Sequence, residues 1–448
     1  MKSVLVIIMF SSFWVLNAQE LAFEKVLPKK EKFAIENVKL GCSAYSDMDN
    51  DGDLDLFVIG QSSNKLVGYI YKNLFIETGT ADFKRIKCSK NSLFDGAING
   101  SVSFGDINND GLEDLLVTGK ADTNISKIYL NKSSENSICF KELVFDKKNE
   151  ITPVFLSSSS FFDFDNDGDL DLILSGMSES GEVTKLYKNH FIEEKNVRFE
   201  EIFQHQGLSV FKAIYNGKII VKDLDNDTKE DVIISGLSHM YGGKIISIYK
   251  NNSTETEMSF TEILNKNGNS LIQGNEKEIF VEDLNNDQKA EFIVKDKFFK
   301  NQFIVYQNNS KNNQLIFNKS NVSFNFHSIE KTKFYFSDLN KDSLTDIIQI
   351  TENQKGETVT AIFYNYSEQN FLQFSKVNQI QQLNNIKNNH ILFFDFNNDG
   401  SKDLYVYGNT NFKSKGTLYS NETKKLQNNR NSLSENIKVN PTKKIVTN

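Results

Sequence analysis

The stretch DFDNDGDLD sets oxygen-bearing side chains at its first, third, fifth and ninth positions: Asp163, Asp165, Asp167 and Asp171. Alternate residues of a tight loop can point at one centre. Hard oxygen donors in that number suit calcium, with a backbone carbonyl near position 7 and water completing the shell. Glycine at position 6, Gly168, permits the positive φ of so sharp a turn. Six further stretches keep an oxygen ligand at all four positions: Asp47, Asp49, Asp51 and Asp55; Asp106, Asn108, Asp110 and Asp114; Asp223, Asp225, Asp227 and Asp231; Asp283, Asn285, Asp287 and Glu291; Asp338, Asn340, Asp342 and Asp346; Asp395, Asn397, Asp399 and Asp403. Carboxylates so crowded repel one another at close range unless a cation sits among them. One copy alone would suit a solvated polar turn, whereas seven at fixed spacing point to calcium, up to seven ions. Gly52, Gly111, Gly168 and Gly400 hold position 6, but Thr228, Gln288 and Ser343 replace it elsewhere, which predicts weaker or more strained sites there.

Loops that recur must be held by elements that recur. From Asp47 to Asp395 the mean period is 58 residues, a spacing that indicates a repeat architecture. A short apolar strand precedes each acidic loop, and a nearly continuous apolar run follows it, as in LFVIG and LILSG. Such runs belong to strands covered on both faces. Next comes aromatic-x-Asn: Tyr71 with Asn73, Tyr129 with Asn131, Tyr187 with Asn189, Tyr249 with Asn251, Tyr306 with Asn308, Phe363 with Asn365, and Tyr419 with Asn421. A fourth strand then centres on Phe83, Phe140, Phe199, Phe260, Phe317 or Phe374, and nothing like it follows Tyr419. The missing copy lies at the other end of the chain, as LAFEKV around Phe23. The reading is an all-β fold: a seven-bladed β-propeller of four-stranded blades, its ring closed by the N-terminal strand.

The acidic loop resembles the first half of an EF-hand loop, without the glutamate at position 12 and with strands in place of helices. Loop and aromatic-x-Asn together resemble the FG-GAP/VCBS repeat family, best known from the seven-bladed propellers of integrin alpha chains, over nearly all of residues 20–422. That resemblance implies calcium in the loop joining the first and second strands of a blade, on the face opposite the usual partner-binding surface. The repeat's terminal glycine is kept at Gly60, Gly119, Gly176, Gly236 and Gly408; Asp296 and Thr351 depart from it, so blades five and six are expected to be less regular there.

Apolar residues make up 39% of the 448, ample for a core, and the net charge of -8 with a pI near 5.4 speaks against nucleic-acid binding. Residues 1–18 read as a signal peptide, one lysine before an apolar run too short to span a bilayer, with cleavage after Ala18. The mature chain is then expected to be secreted or on the cell surface, with no transmembrane segment after cleavage. Cys42, Cys88 and Cys139 are odd in number and lack metal-site spacing, which favours buried or tolerated thiols over a disulfide framework. The propeller takes residues 19–422 and a polar tail residues 423–448. Within the tail, Glu435 to Val446 is similar to the start of the C-terminal sorting tails of type IX secretion cargo, the alternative being a disordered tail.

Three functions compete: a calcium-stabilised interaction or adhesion module with an extracellular protein or glycan ligand, a carbohydrate-binding propeller, and a polysaccharide-active enzyme. His190, His205, His239, His327 and His390 fall in different repeats beside no recognisable nucleophile, and the repeated carboxylates are committed to metal. No catalysis is expected. The one tryptophan, Trp14, leaves with the signal peptide, so any sugar would stack on tyrosine or phenylalanine. Candidate contact loops are Met177 to Thr184, Leu237 to Lys244 and Gln204 to Gly217, where exposed Met, Tyr or Phe would mark a binding patch.

Overall fold

The computed structural model describes residues 23–27, 34–86, 94–135, 137–147, 149–203, 209–265, 272, 279–295, 302–311, 313–325, 332–352, 358–368, 372–377, 390–407 and 416–423. The signal-peptide and tail readings lie outside them, as do Cys88, His205, His327, Asp296 and Gly408. The described chain forms seven four-stranded antiparallel sheets, each taken in chain order except the last. Blade 1 runs Lys39–Ser46, Asp55–Ser62, Lys65–Asn73 and Phe83–Arg85. Blades 2 to 6 begin at Val102, Phe155, Tyr215, Ile279 and Thr332. Blade 7 consists of His390–Phe394, Asp403–Tyr407, Thr417–Asn421 and, as its outermost strand, Phe23–Val26. Phe23 pairs with Asn421 and Lys25 with Tyr419, so the first strand among the described residues closes the ring as the shifted phenylalanine predicts.

The second strand of each blade shows why the ring is needed. Its side chains alternate between two faces, and both faces are buried. Phe57 and Ile59 pack with Leu115 and Val117 of blade 2, while Leu56 and Val58 pack with Phe394 and Phe396 of blade 7. Each such side chain contributes about 1.5–3 kcal/mol when fully buried, a gain no isolated blade could collect on both sides. The fourth-strand phenylalanines have a fixed address: each sits directly opposite the asparagine of its aromatic-x-Asn, from Asn73 with Phe83 through Asn365 with Phe374 to Asn421 with Phe23.

The repeat's terminal glycine permits a close approach. A Cβ on Gly60 would lie 2.9 Å from the Cα of Gly41 on the neighbouring strand, where the register shifts between Lys39 and Cys42. Blades 3 and 4 shift in the same way, between Phe155 and Ser158 and between Tyr215 and Lys218. Blade 6, with Thr351 instead, pairs Thr332–Ser337 with Asp346–Thr351 in unbroken register. The turn that follows Thr351, where the sequence leads one to expect irregularity, lies outside the described residues, as does Asp296 of blade 5. Cys42 is a free thiol, and burial pushes its pKa up to about 12. Among the described residues no helix is long and apolar enough to cross a membrane.

Candidate metal centres

Every acidic loop is first of all a knot of backbone hydrogen bonds. The position-1 carboxylate accepts the amides of positions 5 and 6: Asp163 from Asp167 and Gly168, at 3.2 and 3.0 Å, and likewise Asp47, Asp106, Asp223, Asp283, Asp338 and Asp395. The position-9 carboxylate accepts the amide of position 2, as Asp171 does from Phe164 at 3.1 Å; Asp55, Asp114, Asp231, Glu291, Asp346 and Asp403 repeat this. The amide of the aromatic-x-Asn asparagine adds a second bond, Asn189 to Asp171 at 2.8 Å, with equivalents at Asn73, Asn131, Asn251, Asn365 and Asn421. Burial raises all seven of these carboxyls in the absence of metal, Asp171 to about 9, Asp55, Glu291 and Asp346 to about 8, and Asp114, Asp231 and Asp403 to about 7.

Two consecutive turns demand left-handed backbone. Position 6 has positive φ in all seven loops, including Thr228 at 75°, Gln288 at 67° and Ser343 at 70°, so the strain expected at those three is present. Position 4 is also left-handed throughout, and asparagine, which tolerates that region, holds it in every loop but one, where Lys341 stands. Asn50 and Asn109 use the same residue to reach the next blade's loop, donating to the carbonyls of Gly111 and Gly168 at 2.9 Å.

The loops differ in how their side chains converge. In blades 1, 3 and 4, carboxylate oxygens of positions 1, 3 and 9 lie within 4.8 Å of one another: Asp47, Asp49 and Asp55; Asp163, Asp165 and Asp171; Asp223, Asp225 and Asp231. In each, one oxygen of the position-3 aspartate, Oδ1 of Asp49, Asp165 or Asp225, is buried with no hydrogen-bond partner. A buried, unpaired carboxylate oxygen beside two other carboxylates is what a hard cation would satisfy, so these three centres fit calcium. Position 3 is asparagine in the other four loops, and Asn285, Asn340 and Asn397 turn their amides to Asp287, Asp342 and Asp399 of the same loop at 3.4, 3.2 and 3.4 Å. Asn108 accepts the amide of Asp110 at 3.0 Å.

Position 5 stands apart from the three converging carboxylates. Asp51, Asp167 and Asp227 turn Oδ2 to a lysine, at 2.6, 2.6 and 2.9 Å. The same lysine binds Oδ2 of position 3, Lys72 on Asp49 and Lys250 on Asp225 at 2.5 Å, and Lys188 on Asp165. Burial would discharge Lys72, yet its hydrogen bonds to Asp49 and Asp51 hold its pKa above that of an ordinary lysine. Lys72, Lys188 and Lys250 are the middle residues of aromatic-x-Asn, and lysine occupies that place only in the blades with aspartate at position 3; Leu130, Gln307, Tyr364 and Ser420 stand there in the others. Sequence reading treated this residue as variable, although its covariation with position 3 was visible.

The asparagine itself has a role the motif did not announce. Its side-chain amide donates to the position-2 carbonyl of the preceding blade's loop: Asn131 to Met48, Asn189 to Ile107, Asn251 to Phe164, Asn308 to Leu224 and Asn365 to Leu284 at 2.8 Å, with Asn421 to Leu339 at 3.1 Å. Asn73 closes the circle on Phe396 of blade 7 at 2.8 Å. Seven acidic loops are thus chained into a belt around one face of the ring.

The opposite ends of the second strands carry the candidate contact loops. Met240 is 74% exposed and Tyr241 49%, at the tip of a hairpin pinned by Glu182 of blade 3. Glu182 accepts the amides of His239 and Met240, the Ser238 hydroxyl and the His239 ring at 2.6–3.0 Å. His239 also stacks on Tyr215, ring centroids 5.0 Å apart. Phe211, from the loop Gln204 to Gly217, packs in the core against Tyr249 and Phe260 and offers no contact surface. Of the histidines, His190 faces Glu200 at 3.1 Å and His390 stacks on Tyr407, so those described lie in three separate blades.

Residues 47–117, which hold the first two acidic loops, match the FG-GAP-like repeat. No curated protein matches the chain. Among solved structures, a chain of the Photorhabdus luminescens Tc holotoxin pore is 13% identical with a TM-score of 0.36; the match covers 77% of this chain and 16% of that one. A chain of a RAG complex with one melted and one unmelted RSS is 8% identical with a TM-score of 0.42, over 89% of this chain and 99% of that one. The chain thus carries an FG-GAP-like repeat at residues 47–117, within a β-propeller of seven four-stranded blades.

Proposed function

We propose that this propeller is a secreted or cell-surface interaction module, stiffened by calcium in its acidic loops and binding its partner through the opposite face. The observation that carries the reading is the Leu237 to Lys244 hairpin: an exposed Met240–Tyr241 tip whose backbone is fixed by a carboxylate from the neighbouring blade. Exposed apolar side chains on a rigid support are what a protein contact surface requires. Calcium is assigned first to blades 1, 3 and 4, where the unpaired oxygens of Asp49, Asp165 and Asp225 ask for it, and at most to all seven loops. There the ion would neutralise the cluster and lock the belt. The reading is non-catalytic, and the scattered histidines support it.

A glycan is the second reading, favoured by the stacked Tyr215–His239 pair beside exposed Tyr241. Binding of the purified mature protein to a glycan array and to candidate extracellular proteins, wild type against a Met240→Ser, Tyr241→Ser double variant, tests both. Loss of a specific interaction in the variant supports the surface. Binding untouched by the double substitution overturns it, as does polysaccharide cleavage by the pure protein for the non-catalytic reading.

A further inference from the structure

The side chain at position 7 of the acidic loop has no part in the centres described above, yet it is aspartate in two blades, Asp53 in blade 1 and Asp169 in blade 3. Among the described residues, these are also the two blades in which aromatic-x-Asn is followed by a one-turn helix, Phe75–Thr78 and Phe191–Glu194. Each helix places a glutamate beside the loop, and oxygens of Asp51, Asp53 and Glu77, and of Asp167, Asp169 and Glu193, lie within 4.8 Å of one another. In blade 3, Asp169 is 1% exposed. Its Oδ2 accepts the Ile192 amide at 2.9 Å, and its Oδ1 is buried without a hydrogen-bond partner.

We propose that Asp167, Asp169 and Glu193 form a second divalent-cation site in blade 3, distinct from the centre at Asp163, Asp165 and Asp171, and that Asp51, Asp53 and Glu77 repeat it in blade 1. All ligands are hard carboxylate oxygens, and the half-exposed Glu193 leaves room for water in the shell, which suits calcium. Blade 1 binds more weakly, because Asn398 of blade 7 already donates to Asp53 Oδ1 at 3.0 Å.

The other blades provide an internal control. Position 7 is lysine in blades 4 and 5, and its ammonium donates to a carbonyl of the same connection, Lys229 to Ser253 and Lys289 to Ser310. There a side chain supplies the positive charge; in blades 1 and 3 an aspartate and a glutamate replace it, and six carboxylates, Asp163, Asp165, Asp167, Asp169, Asp171 and Glu193, face one ammonium, that of Lys188.

The test counts ions by native mass spectrometry of the full-length mature protein at saturating calcium chloride, with isothermal titration in parallel. Glu193→Gln is expected to bind one ion fewer than wild type, and Glu77→Gln with Glu193→Gln two fewer, all variants keeping the wild-type circular dichroism. Asp169→Asn, which can still accept the Ile192 amide, should match Glu193→Gln. Asp165→Asn reports separately on the blade 3 centre assigned under the proposed function, so either assignment can fail alone. An unchanged ion count in both Glu193→Gln and Asp169→Asn overturns the second site, whatever Asp165→Asn does.

Discussion

Blades 3 and 5 carry the same backbone loop with opposite electrostatics. Asp163 and Asp283 accept the same pair of amides, and Asp171 and Glu291 accept the same position-2 amide. Blade 3 then sets aspartate at positions 3 and 7, whereas blade 5 sets Asn285, which turns to Asp287, and Lys289, which binds the Ser310 carbonyl at 2.6 Å. One loop is left with unpaired buried oxygens on Asp165 and Asp169; at the same positions the other satisfies itself. The loop shape is therefore a property of the repeat, and demand for a cation is a separate property written in two side chains.

The largest expected effect is that of chelation. Metal that binds only the folded ring adds about 2.7 kcal/mol per site when calcium is at a hundred times its dissociation constant. Removing it from blades 1, 3 and 4 should lower the melting temperature by on the order of 10 °C, read by calorimetry with and without chelator. A protein that carries no calcium and melts identically in both conditions would erase the contrast between blades 3 and 5.

In the chelated state, pH should act next. All seven position-9 carboxyls have folded pKa values raised by burial to about 7–9, above the unfolded aspartate and glutamate values. The folded form thus binds more protons than the unfolded one between those limits, so stability is greatest below pH 4 from these groups and is lost as pH rises towards 9. Melting curves of chelated protein from pH 5 to pH 9 should fall steadily, and calcium should flatten the fall. A chelated protein that gains stability over this range contradicts the buried position-9 geometry.

Single substitutions sharpen the comparison further. Asp165→Ala removes a ligand and one carboxylate partner of Lys188, and should cost about 3 kcal/mol in calcium, in line with breaking a buried ion pair. Asn285→Ala removes a long hydrogen bond, 3.4 Å, to the Asp287 carboxylate and should cost about 1 kcal/mol. Chemical denaturation reads both, and equal losses would mean that blades 3 and 5 do not differ in metal demand. The smallest effect concerns backbone alone: Gln288→Gly relieves a left-handed residue and should stabilise by about 1 kcal/mol, while Gly168→Gln should destabilise by a similar amount.

The sequence made the ring legible because each blade repeats three marks, the acidic loop, the aromatic-x-Asn and the phenylalanine, and the last of these was visibly displaced to Phe23. Pairwise relations were harder to see. Asn131 recognises the carbonyl of Met48, and a carbonyl leaves no signature in residue type. Lys72 and Lys188 looked like filler until the partner at position 3 was known. Glu77 and Glu193 sit on four-residue helices, too short to show any periodicity. The burial of Phe211 was not legible either, because a loop position says nothing about the pocket between blades that receives it.

The pairing of Phe23–Val26 with Thr417–Asn421 also sets an order of events during synthesis. At about 10 residues per second, the first strand waits on the order of 40 s for its partner to leave the ribosome. Until then blade 7 does not exist, and Asn73 lacks the Phe396 carbonyl that ties blade 1 back to it. The ring is topologically forbidden from closing before Thr417–Asn421 has been made, which leaves a long window in which the emerging polypeptide remains open.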